Sequence, residues 1–178
     1  MKWDLLGVEE LLRCHVFTLR RHRSRSPRTG EVHDFDVIDS SDWVNVVPVT
    51  TDRQLVLVKQ YRHGIGAVTL ETPGGIVDPE DASPAIAGER EMREETGYTA
   101  PALIPIGVVH PNPAIQNNRL HIYLATDARR VATPAYDATE DIAVELVPLA
   151  EVDALIARGA ITHSLALTAL LLARLRWE

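Results

Sequence analysis

One stretch limits what this chain can fold into more than any other: Gly74-Gly75, a short acidic loop, and then Arg90-Glu91-Met92-Arg93-Glu94-Glu95-Thr96-Gly97-Tyr98. It carries stop signals at both ends. Ser83 is a good N-cap, Pro84 sits where a first-turn proline is tolerated, and Gly97 falls where a helix ends on a left-handed residue. The pattern predicts a helix over Pro84–Thr96. At about 100° per residue, Glu91, Glu94 and Glu95 then share one face within an arc of roughly 100°. Like charges so spaced repel by a few tenths of a kcal/mol per pair in water, and by more where water is scarce. A divalent cation reverses the sign of that cost, because hard cations take oxygen ligands, usually one or two carboxylates together with phosphate oxygens and water. Arg90 stands one turn before Glu94, where it can pair with that carboxylate and fix its rotamer. The competing reading, a solvated Glu/Arg-rich helix face, leaves the paired glycines and the closing glycine without a purpose.

The segment Gly75 to Tyr98 resembles the Nudix box, a glycine followed by an acidic loop and then Arg-Glu-apolar-x-Glu-Glu-x-Gly-apolar, which marks hydrolases of nucleoside diphosphates linked to another group. Two departures lie in its first half. The family usually has Glu six residues after the glycine, where this chain has Asp81, and Gly75 to Arg90 is one residue longer than the usual spacing. The loop is therefore expected to bulge, which leaves the role of the family's first Glu open here. The resemblance implies Mg²⁺ or Mn²⁺ held by Glu91, Glu94 and Glu95 with the backbone carbonyl of Gly74. Glu94 is also placed among the catalytic residues, while Gly75, Arg90 and Gly97 shape the motif.

Upstream, Lys59-Gln60-Tyr61-Arg62 and Leu70-Glu71-Thr72-Pro73-Gly74-Gly75 resemble the Nudix branch that splits ADP-ribose and nucleotide sugars. That branch has a substrate-contacting arginine where Arg62 stands. A guanidinium fork suits bidentate phosphate contact, and a surface ion pair is the alternative. Trp43, ahead of a core strand, is read either as a stacking platform for the base or as a core residue. The loop His110 to Asn118 is rich in amides and poor in charge, chemistry that suits sugar hydroxyls or a base edge, with Asn117 as candidate contact; Asn and Pro are equally ordinary turn formers. The branch also carries an acidic catalytic base on the loop before the last strand. Glu140 is nearest, with Asp137 and Asp141 as neighbours, and a solvated loop carboxylate is the competing reading.

The rest of the chain fits an α/β protein with a mixed sheet, the Nudix α/β/α sandwich by resemblance, carrying an N-terminal antiparallel β appendage. Trp43–Thr50 and Gln54–Arg62 read as a core hairpin, Ala102–His110, Leu120–Ala125 and Ile142–Pro148 as further strands, and Leu149–Arg158 and Thr162–Trp177 as closing helices. Asp127–Thr139 reads as a polar connection. Residues 1–42 form the appendage and 43–178 the hydrolase domain. Within the appendage Met1–Glu10 has no clear period and is read as a loose lead-in, while Arg13–Arg20 and Val32–Asp39 flank an arginine-rich turn, Arg20 to Gly30. In the resembled branch a similar N-terminal sheet builds a homodimer. A net charge of −7 among 178 residues opposes general affinity for nucleic acid. A single cysteine, Cys14, fits a reducing compartment. The broken start and the short apolar run at Leu165–Ala173 match neither a signal peptide nor a membrane span, so the expectation is a cytoplasmic protein with a small nucleotide as its partner.

The expected activity is hydrolysis of the pyrophosphate bond in a nucleoside diphosphate joined to a sugar, ADP-ribose or a nucleotide sugar. The alternatives are hydrolysis of dinucleoside polyphosphates or nucleoside triphosphates, and a sensor that binds without cleaving.

Overall fold

The computed structural model describes residues 1–136 and 141–176. Contacts divide it into two units, Met1–Asp42 with His110–Arg119, and Trp43–Val109 with the chain from Leu120 onward.

The first unit is an antiparallel sheet of β1 (Asp4–Arg13), β2 (Thr18–Arg25) and β3 (Val32–Asp39), in that order. Two expectations are corrected here. The lead-in is mostly strand, since β1 pairs with β2 along its length, with Val8 opposite His22. The arginine-rich turn is largely strand too, because Arg20 to Arg25 lie in β2. The cause is charge pairing across the sheet: Arg20 meets Asp39 at 2.8 Å, Arg21 meets Asp36 at 3.1 Å, and Arg23 meets Asp34 at 3.6 Å. Opposite charges facing one another on adjacent strands favour pairing over a solvated loop. The true turn is short, and the Ser26 hydroxyl accepts from the Arg28 and Thr29 amides within it. The His110–Arg119 segment binds to the end of β3: Ile38 N–H donates to the Ile115 carbonyl at 2.7 Å, and Arg119 reaches Asp42 through its amide and its guanidinium.

The second unit is a mixed sheet. Its strands are β4 (Trp43–Thr50), β5 (Gln54–Arg62), β6 (Ala67–Glu71), β7 (Gly74–Ile76), β8 (Tyr98–Thr99), β9 (Ile104–Val109), β10 (Leu120–Arg130) and β11 (Ile142–Pro148). The main path runs β11-β5-β4-β10-β8, with β6 on β5, β7 on β4 and β9 on β10; β4 and β10 are parallel and the other pairs antiparallel. β10 outruns its expected end. Its pairing with β4 breaks between Ala125 and Ala128, where Asp127 adopts φ 56°, and it then continues to pair with β8. The irregularity ends the apolar alternation without ending the strand.

Both faces of this sheet are covered. Val44, Val46, Val56, Tyr123 and Ala125 pack with Ala87 and Met92 of α1 (Pro84–Thr96). Val47, Val49, Leu55, Leu57, Ile122 and Leu124 pack with α2 (Val152–Ala157) and α3 (Ser164–Arg174). Alternate residues of β4 and β5 thus serve opposite layers, as a period of two requires. Fully buried side chains such as Leu55, Leu57 and Ile122 each contribute about 1.5–3 kcal/mol relative to exposure. The result is the expected α/β/α sandwich. The first closing helix is shorter than expected, with a 3₁₀ turn over Leu149–Glu151 ahead of α2.

Candidate active site

Helix α1 starts and stops where its sequence says. Ser83 is extended and its hydroxyl accepts from the Ile86 amide at 3.3 Å, while Gly97 has φ 75° and donates to the Arg93 carbonyl. Gly88 lets the helix press close to the sheet: a Cβ there would lie 3.0 Å from methyls of Val46 and Leu103. The three glutamates are therefore graded by depth. Glu95 is buried at 4 % exposure, the Glu91 side chain is 13 % exposed, and that of Glu94 is 46 % exposed.

The paired glycines of β7 lie against that face. The Gly74 amide donates to Glu95 Oε2 at 2.9 Å. A Cβ on Gly75 would stand 2.4 Å from Glu91 Oε1, and one on Gly74 would stand 2.1 Å from the Val44 carbonyl oxygen. The β4 backbone excludes a side chain at Gly74, whereas one at Gly75 would have to displace the Glu91 carboxylate.

Arg90 ties the loop to the helix. Its Nη1 donates to Glu91 at 2.9 Å and to Glu94 at 3.2 Å. Nη2 reaches Asp81 at 2.9 Å, Asp78 at 3.1 Å and the Ile76 carbonyl at 3.2 Å, and Nε reaches the other oxygen of Asp81. The Asp81 carboxyl is held below its ordinary value, chiefly by these hydrogen bonds from Arg90. The shorter side chain in the place of the family's Glu thus still anchors the arginine. A local turn serves the lengthened loop, where the Asp81 amide donates to the Asp78 carbonyl and the Asp78 amide to Asp81 Oδ2, both at 3.0 Å.

Arg62 makes the bidentate ion pair that its fork allows, with Glu71: Nε to Oε1 at 2.8 Å and Nη2 to Oε2 at 2.7 Å. Hairpin pairing of β5 with β6 sets Val58 opposite Glu71 and Gln60 opposite Thr69, whose hydroxyl also bonds Glu71. Burial alone would push the Glu71 carboxyl up, but the bonds from Arg62 and Thr69, with the nearby charges of Arg62 and His163, carry it below 4.5. His163 shifts down from 6.5, mainly through burial, with Glu71 opposing. Both groups favour their deprotonated forms more when folded than when unfolded. The stability each adds is complete above its ordinary value and is lost as pH falls through the folded one. The urea midpoint is expected to decline below pH 6.5 through His163, and again below pH 4.5 through Glu71. Glu71→Gln should flatten the lower limb; an identical acid limb in wild type and variant would show that Glu71 titrates normally.

Trp43 begins β4, pairs with Ile76 and Leu120, and packs partly buried against the core on the α3 side. Asn117 belongs to the first unit, where its side chain donates to Asp39 and accepts from the Ser40 amide. Glu140 and Asp137 lie outside the described residues; Asp141 is exposed just before β11. Sequence reasoning missed Glu71 as the partner of Arg62 and His163 as a neighbour of Glu71. The hairpin register sets Val58, not Arg62, opposite Glu71, so no local pattern signals either contact.

Among the described residues, no three Asp, Glu, His or Cys side chains form a metal cage by themselves. The donors present are carboxylate oxygens on a helix face against a glycine backbone, two of them hydrogen-bonded to Arg90. That chemistry fits a hard divalent cation completed by water and substrate oxygens.

The sequence profile of the NUDIX domain matches residues 41–169. The chain belongs to the Nudix family. This Nudix hydrolase is 29 % identical over 170 residues to an ADP-ribose pyrophosphatase of Mycobacterium tuberculosis, covering 95 % of this chain and 82 % of that one. It is 29 % identical over 126 residues to an ADP-ribose pyrophosphatase of Bacillus subtilis, covering 71 % and 67 %. A crystal structure of an ADP compounds hydrolase shares the fold, with a TM-score of 0.86 at 24 % identity over 98 % of this chain and 93 % of that one.

Proposed function

We propose that this Nudix hydrolase cleaves the pyrophosphate of a nucleoside diphosphate joined to a sugar, with ADP-ribose first among its substrates. The observation that carries the reading is the carboxylate face of α1, organised by Arg90 and locked to Gly74 through Glu95. The ADP-ribose pyrophosphatases among its relatives support it, as does the similarity to a GDP-mannose pyrophosphatase of Salmonella arizonae, 26 % identical over 152 residues, covering 79 % of this chain and 78 % of that one.

Glu91, Glu94, Glu95 and the Gly74 carbonyl would hold Mg²⁺ or Mn²⁺, which when bound polarises phosphate oxygens and lowers the pKa of a bound water. Arg62, aligned by Glu71, binds a phosphate of the substrate. Glu140 accepts the proton of the attacking water as its oxygen bonds to one phosphorus. The bridging oxygen leaves on the other phosphate, giving a nucleoside monophosphate and a sugar phosphate. Trp43 and Asn117 are the candidates for contacts to base and sugar. The protein is read as cytoplasmic; no described helix is long and apolar enough to cross a membrane. It is read as a homodimer built on residues 1–42, because β1 is an edge strand that exposes Leu5, Leu6, Val8 and Leu12. Sedimentation of the full chain tests that reading.

The deciding experiment is a panel of ADP-ribose, several nucleotide sugars, a dinucleoside polyphosphate and a nucleoside triphosphate, each with Mg²⁺ and with Mn²⁺. AMP and ribose phosphate from ADP-ribose are expected, at a kcat/KM above that for the polyphosphates. Tight binding of ADP-ribose without AMP would identify a sensor. Glu140→Gln is expected to lower kcat while leaving KM near wild type, and an unchanged kcat would move the base to Asp137 or Asp141.

A further inference from the structure

His163 is half-buried at the mouth of α3 and has no part in the chemistry proposed above. Its Nδ1 accepts from the Ala166 amide, so the imidazole caps the helix. An acceptor at Nδ1 puts the proton of the neutral ring on Nε2. That atom lies 3.7 Å from Glu71 Oε2. The carboxylate of Glu71 is thereby surrounded. Oε1 takes Arg62 Nε and the Thr69 hydroxyl; Oε2 takes Arg62 Nη2 and faces the imidazole. The Glu71 side chain is 3 % exposed, so water cannot stand in for any of these neighbours, whereas the Arg62 side chain is 41 % exposed.

We infer that His163 is a positioning residue for Arg62. Acting through Glu71, it fixes the plane of the carboxylate and hence of the guanidinium that meets the substrate phosphate. The contact is longer than a hydrogen bond and works as the field of an N–H beside an anion that little solvent screens. The N-terminal end of α3 adds its own partial positive charge on the same side. Ninety-two residues of sequence separate the two groups, so α3 is fastened to the strand that carries Glu71 by the same side chain that caps it. This inference rests on Arg62 as a substrate contact.

Asparagine separates the two roles of His163. It is among the best N-caps, yet its amide is too short to keep the reach to Glu71. His163→Asn is expected to keep the melting temperature within about 3 °C of wild type, to raise KM for ADP-ribose with Mg²⁺ about five- to tenfold, and to hold kcat within about twofold. His163→Ala, which loses the cap as well, should lower the melting temperature further. The second readout needs no substrate: the Arg62 Nε–Hε cross-peak in ¹⁵N–¹H spectra, assigned by its loss in Arg62→Lys, should shift and exchange faster in His163→Asn.

An unchanged cross-peak overturns the inference. So does an unchanged KM in His163→Asn when Arg62→Lys raises KM. If Arg62→Lys leaves KM at the wild-type value, the substrate role of Arg62 fails by itself, and the cross-peak alone decides whether His163 positions the guanidinium.

Discussion

Glu95→Gln is expected to remove metal-dependent hydrolysis while the protein still folds. Glu95 is buried and accepts the Gly74 amide through one oxygen, and the glutamine carbonyl can keep that bond. What disappears is the negative charge. Losing an outer partner of a metal ligand costs about 10–100-fold in affinity or activity, so losing the charge of Glu95, a ligand in the proposed site, should exceed the upper end of that range. Glu94→Gln gives the same expected loss with even less effect on stability, because Glu94 is half-exposed and gives up only its 3.2 Å contact with Arg90. The check is kcat/KM for ADP-ribose at saturating Mg²⁺ beside a thermal melt. Near wild-type turnover in either variant would remove that residue from the metal site.

Gly75→Ala tests position instead of charge. No left-handed torsion forbids alanine at Gly75, but its methyl group would lie 2.4 Å from Glu91 Oε1 and 2.6 Å from Cδ, so the carboxylate has to move. Because a flexible side chain yields before backbone does, the melting temperature should fall only a few degrees. Activity should fall about 10–100-fold, with a weaker apparent affinity for Mg²⁺, since a proposed ligand has been turned away from its place. A variant that hydrolyses ADP-ribose normally at limiting Mg²⁺ would show that the observed orientation of Glu91 is not the working one.

These expectations depend on a helix whose limits are local properties of the chain. Ser83 and Gly97 act within a few residues of themselves, so α1 has its expected ends. β4 and β5 were equally legible, because each is covered on both faces and reads as an apolar run between turn residues. β1 was not, since nearly all of it is exposed and no core imposes a period on Leu5, Leu6, Glu9 and Glu10. The arginines of β2 read as a turn because their partners, Asp34, Asp36 and Asp39, come more than ten residues later. In the site, the glutamates of α1 share a face by helical geometry alone. The link from His163 to Glu71 is tertiary, and no local pattern carries it.

The His110–Arg119 segment lies between β9 and β10 in sequence, yet its hydrogen bonds go to Ile38, Ser41 and Asp42. A protein trimmed to begin at Trp43 would keep every strand of the larger sheet and still strip this connection of its clasp. The first forty-two residues are thus no detachable tag: shortening the chain there is also an edit to the middle of it.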